Sequence, residues 1–159
     1  RSSFRSRCFS RGFHSRFSAK EREYLYIIFN AEVMPVFYNT REWHITEKIS
    51  VRKLKKTLKN IKGTHDFTTF CANIKENENR IRTITGIKVR KKKHFIFIHI
   101  RGYAFLHKMI RMIVGSAINI VQSDAHPSQM EELLKKQGNT DKTVKVAPPT
   151  GLYLYRVTY

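Results

Sequence analysis

Residues 95–121 constrain the fold more than any other stretch of this chain. Phe95–Ile100 reads FIFIHI, a nearly continuous apolar run of strand length, and Gly102 breaks it. Such a run predicts a central strand buried on both faces, with strict alternation leaving one wetter face as the other option. A long helix is then expected from about Phe105. Its apolar positions, Leu106, Met109, Ile110, Ile113, Val114, Ala117, Ile118 and Val121, cover more than one face. A helix with that much apolar surface has to be buried, here against the sheet.

The other elements are read around this pair. Glu23–Phe29 (EYLYIIF) is rich in aromatic and β-branched residues and predicts a strand, followed by a loop with Pro35 that runs through Trp43. Ser50 is a good N-cap, and after it Val51, Leu54, Leu58 and Ile61 recur at helical spacing until Gly63. The Lys and Arg residues on the opposite side of that helix read as a solvated surface. Thr64–Phe70 (THDFTTF) predicts a short helix or capped turn that tucks Phe67 and Phe70 under the core. Thr83–Val89 and Phe95–Arg101 are strands, joined by a basic turn, Arg90-Lys91-Lys92-Lys93-His94, suited to phosphate contact. Pro127 suits the first turn of a helix reaching Lys136 and stopped by Gly138. Ala147-Pro148-Pro149 reads as an extended connector, and Leu152–Tyr159 (LYLYRVTY) alternates as a closing strand. This order predicts the α+β class: an antiparallel or mixed sheet with helices packed on it. Residues 1–20 are expected to form a basic arm or targeting-like segment, and 21–159 the folded domain, whose length suffices for a real core.

Charge narrows the function. The chain has 31 Lys+Arg against 12 Asp+Glu, a formal net charge of +19. So large a charge repels itself and points to a polyanion, nucleic acid first and an anionic membrane surface second, with a merely solubilising basic surface as the alternative. The 11 Phe and 7 Tyr scattered among the bases suit stacking as well. Cys8 and Cys71 have no Cys or His at metal-ligand spacing, so neither a disulfide framework nor a metal site is expected. No apolar run reaches the roughly 18 residues of a membrane span, and a soluble protein with no membrane partner is the expectation. The first twenty residues are rich in Arg, Ser and Phe and contain no acid. They resemble a mitochondrial transit peptide, with a basic arm that touches RNA as the second reading. A mitochondrial location is accordingly expected, with the cytoplasm as the alternative.

Five strings carry a resemblance: FHSRFSAKEREYLYIIFN at Phe13–Asn30, GTHDFTTF at Gly63–Phe70, the Arg82-Thr83 pair, FLHKMIRMIVG at Phe105–Gly115, and APPTGLYLYRVTY at Ala147–Tyr159. In this order and spacing they resemble the C-terminal, RNA-binding portion of the TruA-type tRNA pseudouridine synthases. The resemblance implies a pseudouridine synthase fold and a tRNA substrate, with no cofactor and no metal. Such enzymes flip a uridine out of its stack, cleave its glycosidic bond, rotate the base and rejoin it through carbon. Flipping costs a few kcal/mol of stacking, which aromatic contacts and hydrogen bonds must return.

The family's nucleophile is the Asp of a G-R-T-D-A-G-V-H motif upstream of the first string, and these 159 residues lack that motif. Their aspartates are Asp66, Asp124 and Asp141. By resemblance, Asp66 belongs to the fold, as a cap, and none of the three is a nucleophile. Other positions take roles by resemblance. Tyr24 is the tyrosine that packs on the target base. Arg111 pairs with the catalytic aspartate and should be buried, with an altered environment where the aspartate is missing. Leu152 is the apolar floor under the base. Tyr26 reads as core. RNA contacts are expected from Arg16, Arg90, Lys91, Lys92, Lys93, His107 and Lys108, with His107 also able to support the pocket from one helical turn before Arg111. Glu23 and Leu25 stand where the family often has basic residues, which predicts a pocket rim with less positive charge. The function implied is the RNA-binding part of a TruA-like synthase, inactive alone, with the aspartate supplied by an N-terminal half and a homodimer as a further option. The alternative is a non-catalytic RNA-binding subunit of an organellar ribosome or its assembly particle, with rRNA as its partner.

Overall fold

The side chains of β1 (Glu21–Asn30) alternate between two faces, and the rest of the molecule is arranged around that alternation. In a computed structural model, which describes residues 18–33, 35, 41–73, 79–136 and 143–159, β1 lies inside a six-stranded mixed sheet. The remaining strands are β2 (Trp43–Ile45), β3 (Gly63–Asp66), β4 (Ile81–Lys92), β5 (Phe95–Gly102) and β6 (Leu152–Thr158). One edge of β1 pairs with β5, which leads on through β4 to β3. Its other edge is shared: β6 pairs antiparallel with Glu21–Tyr26, and β2 pairs parallel with Ile28–Asn30.

Among the described residues three helices complete the fold: α1 (Val51–Lys59), α2 (Met109–Gln122) and α3 (Gln129–Lys135). Tyr26 and Ile28 of β1, Ile96, Ile98 and Ile100 of β5, and Leu54, Leu58, Ile113 and Ala117 of the helices belong to one buried cluster. Each fully buried Ile or Leu there contributes about 1.5–3 kcal/mol. β5 is central, as expected, but only one of its faces is closed. Ile96, Ile98 and Ile100 are buried, whereas Phe95, Phe97 and His99 are half-buried. The opposite face carries an aromatic strip in which Phe29 meets Phe95 edge-on at 5.0 Å and Phe95 stacks on Phe97 at 6.0 Å.

Several sequence expectations shift. The basic turn shrinks to Lys93-His94, with Lys93 at φ 53°, because Arg90–Lys92 continue β4 against Phe95–Phe97. β2 and β3 are absent from the sequence reading, since strands of three and four residues are too short to show a period and exist through their partners. The first half of the THDFTTF segment is therefore strand β3. A 3-10 turn at Thr68–Phe70 follows, and Phe67 and Phe70 are fully buried as expected. Asp66 does cap that turn: its Oδ1 accepts from the Thr68 amide at 2.8 Å and the Thr68 hydroxyl at 2.6 Å. The connector after Ala147 tightens into a 3-10 turn at Pro149–Gly151. α2 begins at Met109, because Lys108 adopts φ 59° and a turn closes just before it, the Met109 amide donating to the Leu106 carbonyl at 3.1 Å. Leu106 is still buried, so that turn carries the apolar pattern into the core without being helical. Cys8, Asp141, Gly138 and residues 1–17 lie outside the described residues.

Ser50 caps α1 through its hydroxyl, which accepts from the Lys53 amide at 3.3 Å. Ser50→Ala should lower stability by about 0.5–1 kcal/mol, the lower range for an exposed cap. A thermal melt would register this as a fall of about 2–4 °C, and an unchanged melt would mean that water caps the helix equally well. Asn30 is the unforeseen anchor of the 41–50 connection. Its amide donates to the carbonyls of Ile45 (2.9 Å) and Glu47 (2.7 Å), and its Oδ1 accepts from the Ile49 amide at 3.1 Å. A buried amide with all these groups satisfied holds the chain where α1 must start.

Candidate functional site

The two-residue period of β1 puts Tyr24 and Tyr26 on the helix-facing side, opposite Ile100 and Ile98 of β5. On the other edge Tyr24 pairs with Leu154 and Tyr26 with Leu152. Tyr26 is fully buried, and its hydroxyl donates to the Pro148 carbonyl at 2.6 Å. Burial pushes that phenol well above its usual range, and the nearby Arg111 cation pulls the other way by a smaller amount. Tyr24 is half-buried, with the Phe105 ring edge-on to it at 5.2 Å. Its ring is thus held in one orientation while part of it stays accessible.

Arg111 reaches this place from the first turn of α2. Its Nε donates to the Ala147 carbonyl at 2.7 Å, and its own carbonyl accepts from the Ala147 amide at 3.0 Å. The Lys145 amide donates to the buried Ser116 hydroxyl at 3.2 Å, which straps residues 145–147 along α2. Gly115 allows the approach: a Cβ there would stand 2.4 Å from the Lys145 carbonyl oxygen and 2.7 Å from the Ala147 nitrogen. The strap continues through Pro148, the acceptor for Tyr26, into Leu152. Gly151 is equally constrained, since a Cβ would fall 2.6 Å from the Ile27 carbonyl oxygen.

The fold places Tyr24 and Tyr26 on one face of β1, Leu152 opposite Tyr26 on β6, and Arg111 on the strap whose Pro148 carbonyl accepts from the Tyr26 hydroxyl. Arg111 is half-buried rather than enclosed, with its Nε against the Ala147 carbonyl of the strap. Among the described residues no carboxylate lies within 4.0 Å of it, and its Nη groups make no hydrogen bond to protein. A guanidinium held by Nε alone presents its outer fork to an anionic oxygen. Its charge is felt by the buried Tyr26 phenol, and the same face of β1 carries the half-buried Tyr24.

Other predicted residues lie elsewhere. His107 and Lys108 are exposed on the turn before α2, so His107 does not sit one helical turn from Arg111. Arg90, Lys91, Lys92 and Lys93 are exposed along β4 and its turn, and Arg16 lies outside the described residues. Asp124, at φ 56°, bonds Lys53 at 2.5 Å, and that partner holds its carboxyl below the usual range. The expected loss of positive charge at the pocket rim is not what Glu23 does. Alternation turns it to the opposite face, where its Oε1 meets His99 Nδ1 at 2.8 Å. Phe105, Gly115 and the 147–148 carbonyls were given no role in the sequence reading. For Phe105 and Gly115 the only signal was their membership of the quoted strings.

Residues 58–159 match a family model described as tRNA pseudouridine synthase. Among curated relatives, the tRNA pseudouridine synthase A of Ehrlichia chaffeensis is 36% identical over 148 residues, covering 92% of this chain and 60% of the relative. The protein of the same name from Bacillus licheniformis is 33% identical over 147 residues, covering 92% of this chain and 59% of the relative. That of Anaplasma marginale is 34% identical over 149 residues, covering 93% and 60%. The chain thus spans about 60% of the length of the curated relatives it matches.

Proposed function

The chain belongs to the tRNA pseudouridine synthase family, and on that footing we propose that these 159 residues are the RNA-binding part of a TruA-like synthase. In this reading they bind tRNA and hold a flipped uridine without isomerising it alone. Tyr24 stacks on the base, Leu152 forms the floor, and the free fork of Arg111 faces the carboxylate that attacks the sugar. What supports the reading is that the 147–148 carbonyls hold both Arg111 and Tyr26, on the face of β1 that also carries Tyr24, while the Arg111 Nη groups are left open. Asp66 and Asp124 support it from the other side. Each is engaged elsewhere, one as a cap and one with Lys53.

Isomerisation replaces the C1′–N1 bond with C1′–C5, so the hydrogen on C5 is released as a proton while N1 gains one. Tritium release from tRNA labelled at uridine C5 therefore reads turnover, and filter retention of the same RNA reads binding. The purified chain should retain tRNA and release no tritium; release by the chain alone would refute the inactive reading. Tyr24→Ala should weaken binding by about 1–3 kcal/mol, the range for one lost base stack. That is about 5- to 150-fold in Kd, with the melting temperature little changed, because the ring is only half-buried. A preference for ribosomal RNA over tRNA would favour the non-catalytic ribosomal subunit instead.

A further inference from the structure

α1 reads from its sequence as an amphipathic helix with a solvated basic side. The structure places that side between two grooves. One, about 470 Å³, lies between α1 and β4 and is lined by Lys55, Lys59, Lys62, Lys88 and Arg90, with Ile87 and Val89 at its base. The second, about 750 Å³, lies between α1 and the turn leading to α3 and includes Arg52, Lys53, Lys56 and again Lys59. The first groove has no acidic lining residue. The two acids of the second are both engaged, Asp124 with Lys53 at 2.5 Å and Glu131 with Lys135 at 3.1 Å. Among the described residues, none of the five cations of the first groove has an ion-pair or hydrogen-bond partner for its side chain.

This arrangement works against the free protein. α1 contains no acidic residue, so its exposed i,i+4 pairs, Arg52 with Lys56 and Lys55 with Lys59, are like-charged and destabilise the helix. A merely solvated face gains nothing from this crowding, whereas a polyanion laid along the groove removes the repulsion and releases its own counterions. Lys55 and Lys59 lie about 6 Å apart along α1, and Lys62 follows in the turn after it, a set suited to a short run of consecutive phosphates.

We propose that the α1–β4 groove is a second RNA-backbone site, separate from the Tyr24–Arg111 pocket, and that it holds phosphates of the RNA whose uridine the pocket receives. The inference rests on the RNA-binding reading above. It draws on the lysines of α1 and of the turn after it, since Lys88 and Arg90 pair with His99 and Phe97 and turn their side chains to the other face of the sheet.

The test uses the whole 159-residue chain and transcribed tRNA, with Kd measured across a salt series. The variant K55Q/K59Q/K62Q should bind about tenfold or more weakly near 0.1 M salt, and the slope of log K against log salt should fall in magnitude by about 2–3. A charge-matched variant at exposed basic residues elsewhere, K48Q/K135Q/R156Q, should keep most of the slope. Equal losses in both variants would reduce the effect to net charge and overturn the groove. An unchanged slope in the first variant while the parent chain binds tRNA would overturn it too and leave the RNA-binding reading standing. No binding by the parent chain would overturn that reading, and the groove with it.

Discussion

Gly115→Ala should lower the melting temperature by about 5–10 °C, although helix propensity alone argues for a gain. Alanine in place of glycine inside α2 would favour the helix by about 1 kcal/mol. Against that stand the 2.4 Å and 2.7 Å contacts that the new Cβ would make with the Lys145 carbonyl oxygen and the Ala147 nitrogen. Both are backbone atoms of the strap, so no flexible side-chain end can give way. Overpacking of this kind costs about 1–3 kcal/mol, occasionally more, and the separations here belong to the severe end. The net loss of about 2–3 kcal/mol is the Tm shift quoted for a chain of this length. Displacing the strap also moves the Ala147 carbonyl that fixes Arg111, so tRNA affinity should fall by more than the melt alone accounts for. A melt raised by 2–4 °C, about the propensity gain, would show that the strap does not lie against α2 as described.

Tyr26 carries the other large effect. Tyr26→Ala should remove about 3–5 kcal/mol, the range for truncating a fully buried aromatic ring. That ring also packs edge-on against Trp43 at 6.2 Å. Tyr26→Phe isolates the hydroxyl. It keeps the ring and leaves the Pro148 carbonyl without its donor, a loss of about 1–3 kcal/mol. The two variants also differ from the parent in pH dependence. Burial raises the Tyr26 phenol above the value near 10 of an unfolded tyrosine. Its contribution is therefore complete below about pH 10 and is lost as pH rises toward the folded value. Denaturant midpoints measured from pH 8 to 11 should fall more steeply in the parent than in Tyr26→Phe. Parallel curves would mean that the phenol ionises freely in the folded state.

Much of the architecture was legible because its energetics are local or periodic. FIFIHI announced a central strand, and Ile96, Ile98 and Ile100 are indeed fully buried. The eight apolar positions read for the long helix are all buried, even though the first of them precedes it. Ser50 and Asp66 cap as their side chains suggest, through amides two or three residues away. The start of α2 was misread because Leu106 satisfies the apolar period from within a turn. Nothing in a hydrophobic count distinguishes a helical leucine from one that a left-handed Lys108 swings into the core.

The site divides along the same line. Sequence alone determined that both tyrosines of β1 share one face and that the chain carries a net charge of +19. Each of these follows from chain chemistry or a two-residue repeat. Only the tertiary structure decided that Arg111 is held by a carbonyl 36 residues away, and Tyr26 by one 122 residues away. It also decided that Glu23 faces His99 instead of the pocket, and that the lysines of α1 share a groove with β4. These are contacts between elements whose approach is set by packing. Gly115 admits the strap to α2 only because the missing Cβ leaves room for it. That room is a property of two backbones brought together, and neither segment's sequence records it alone.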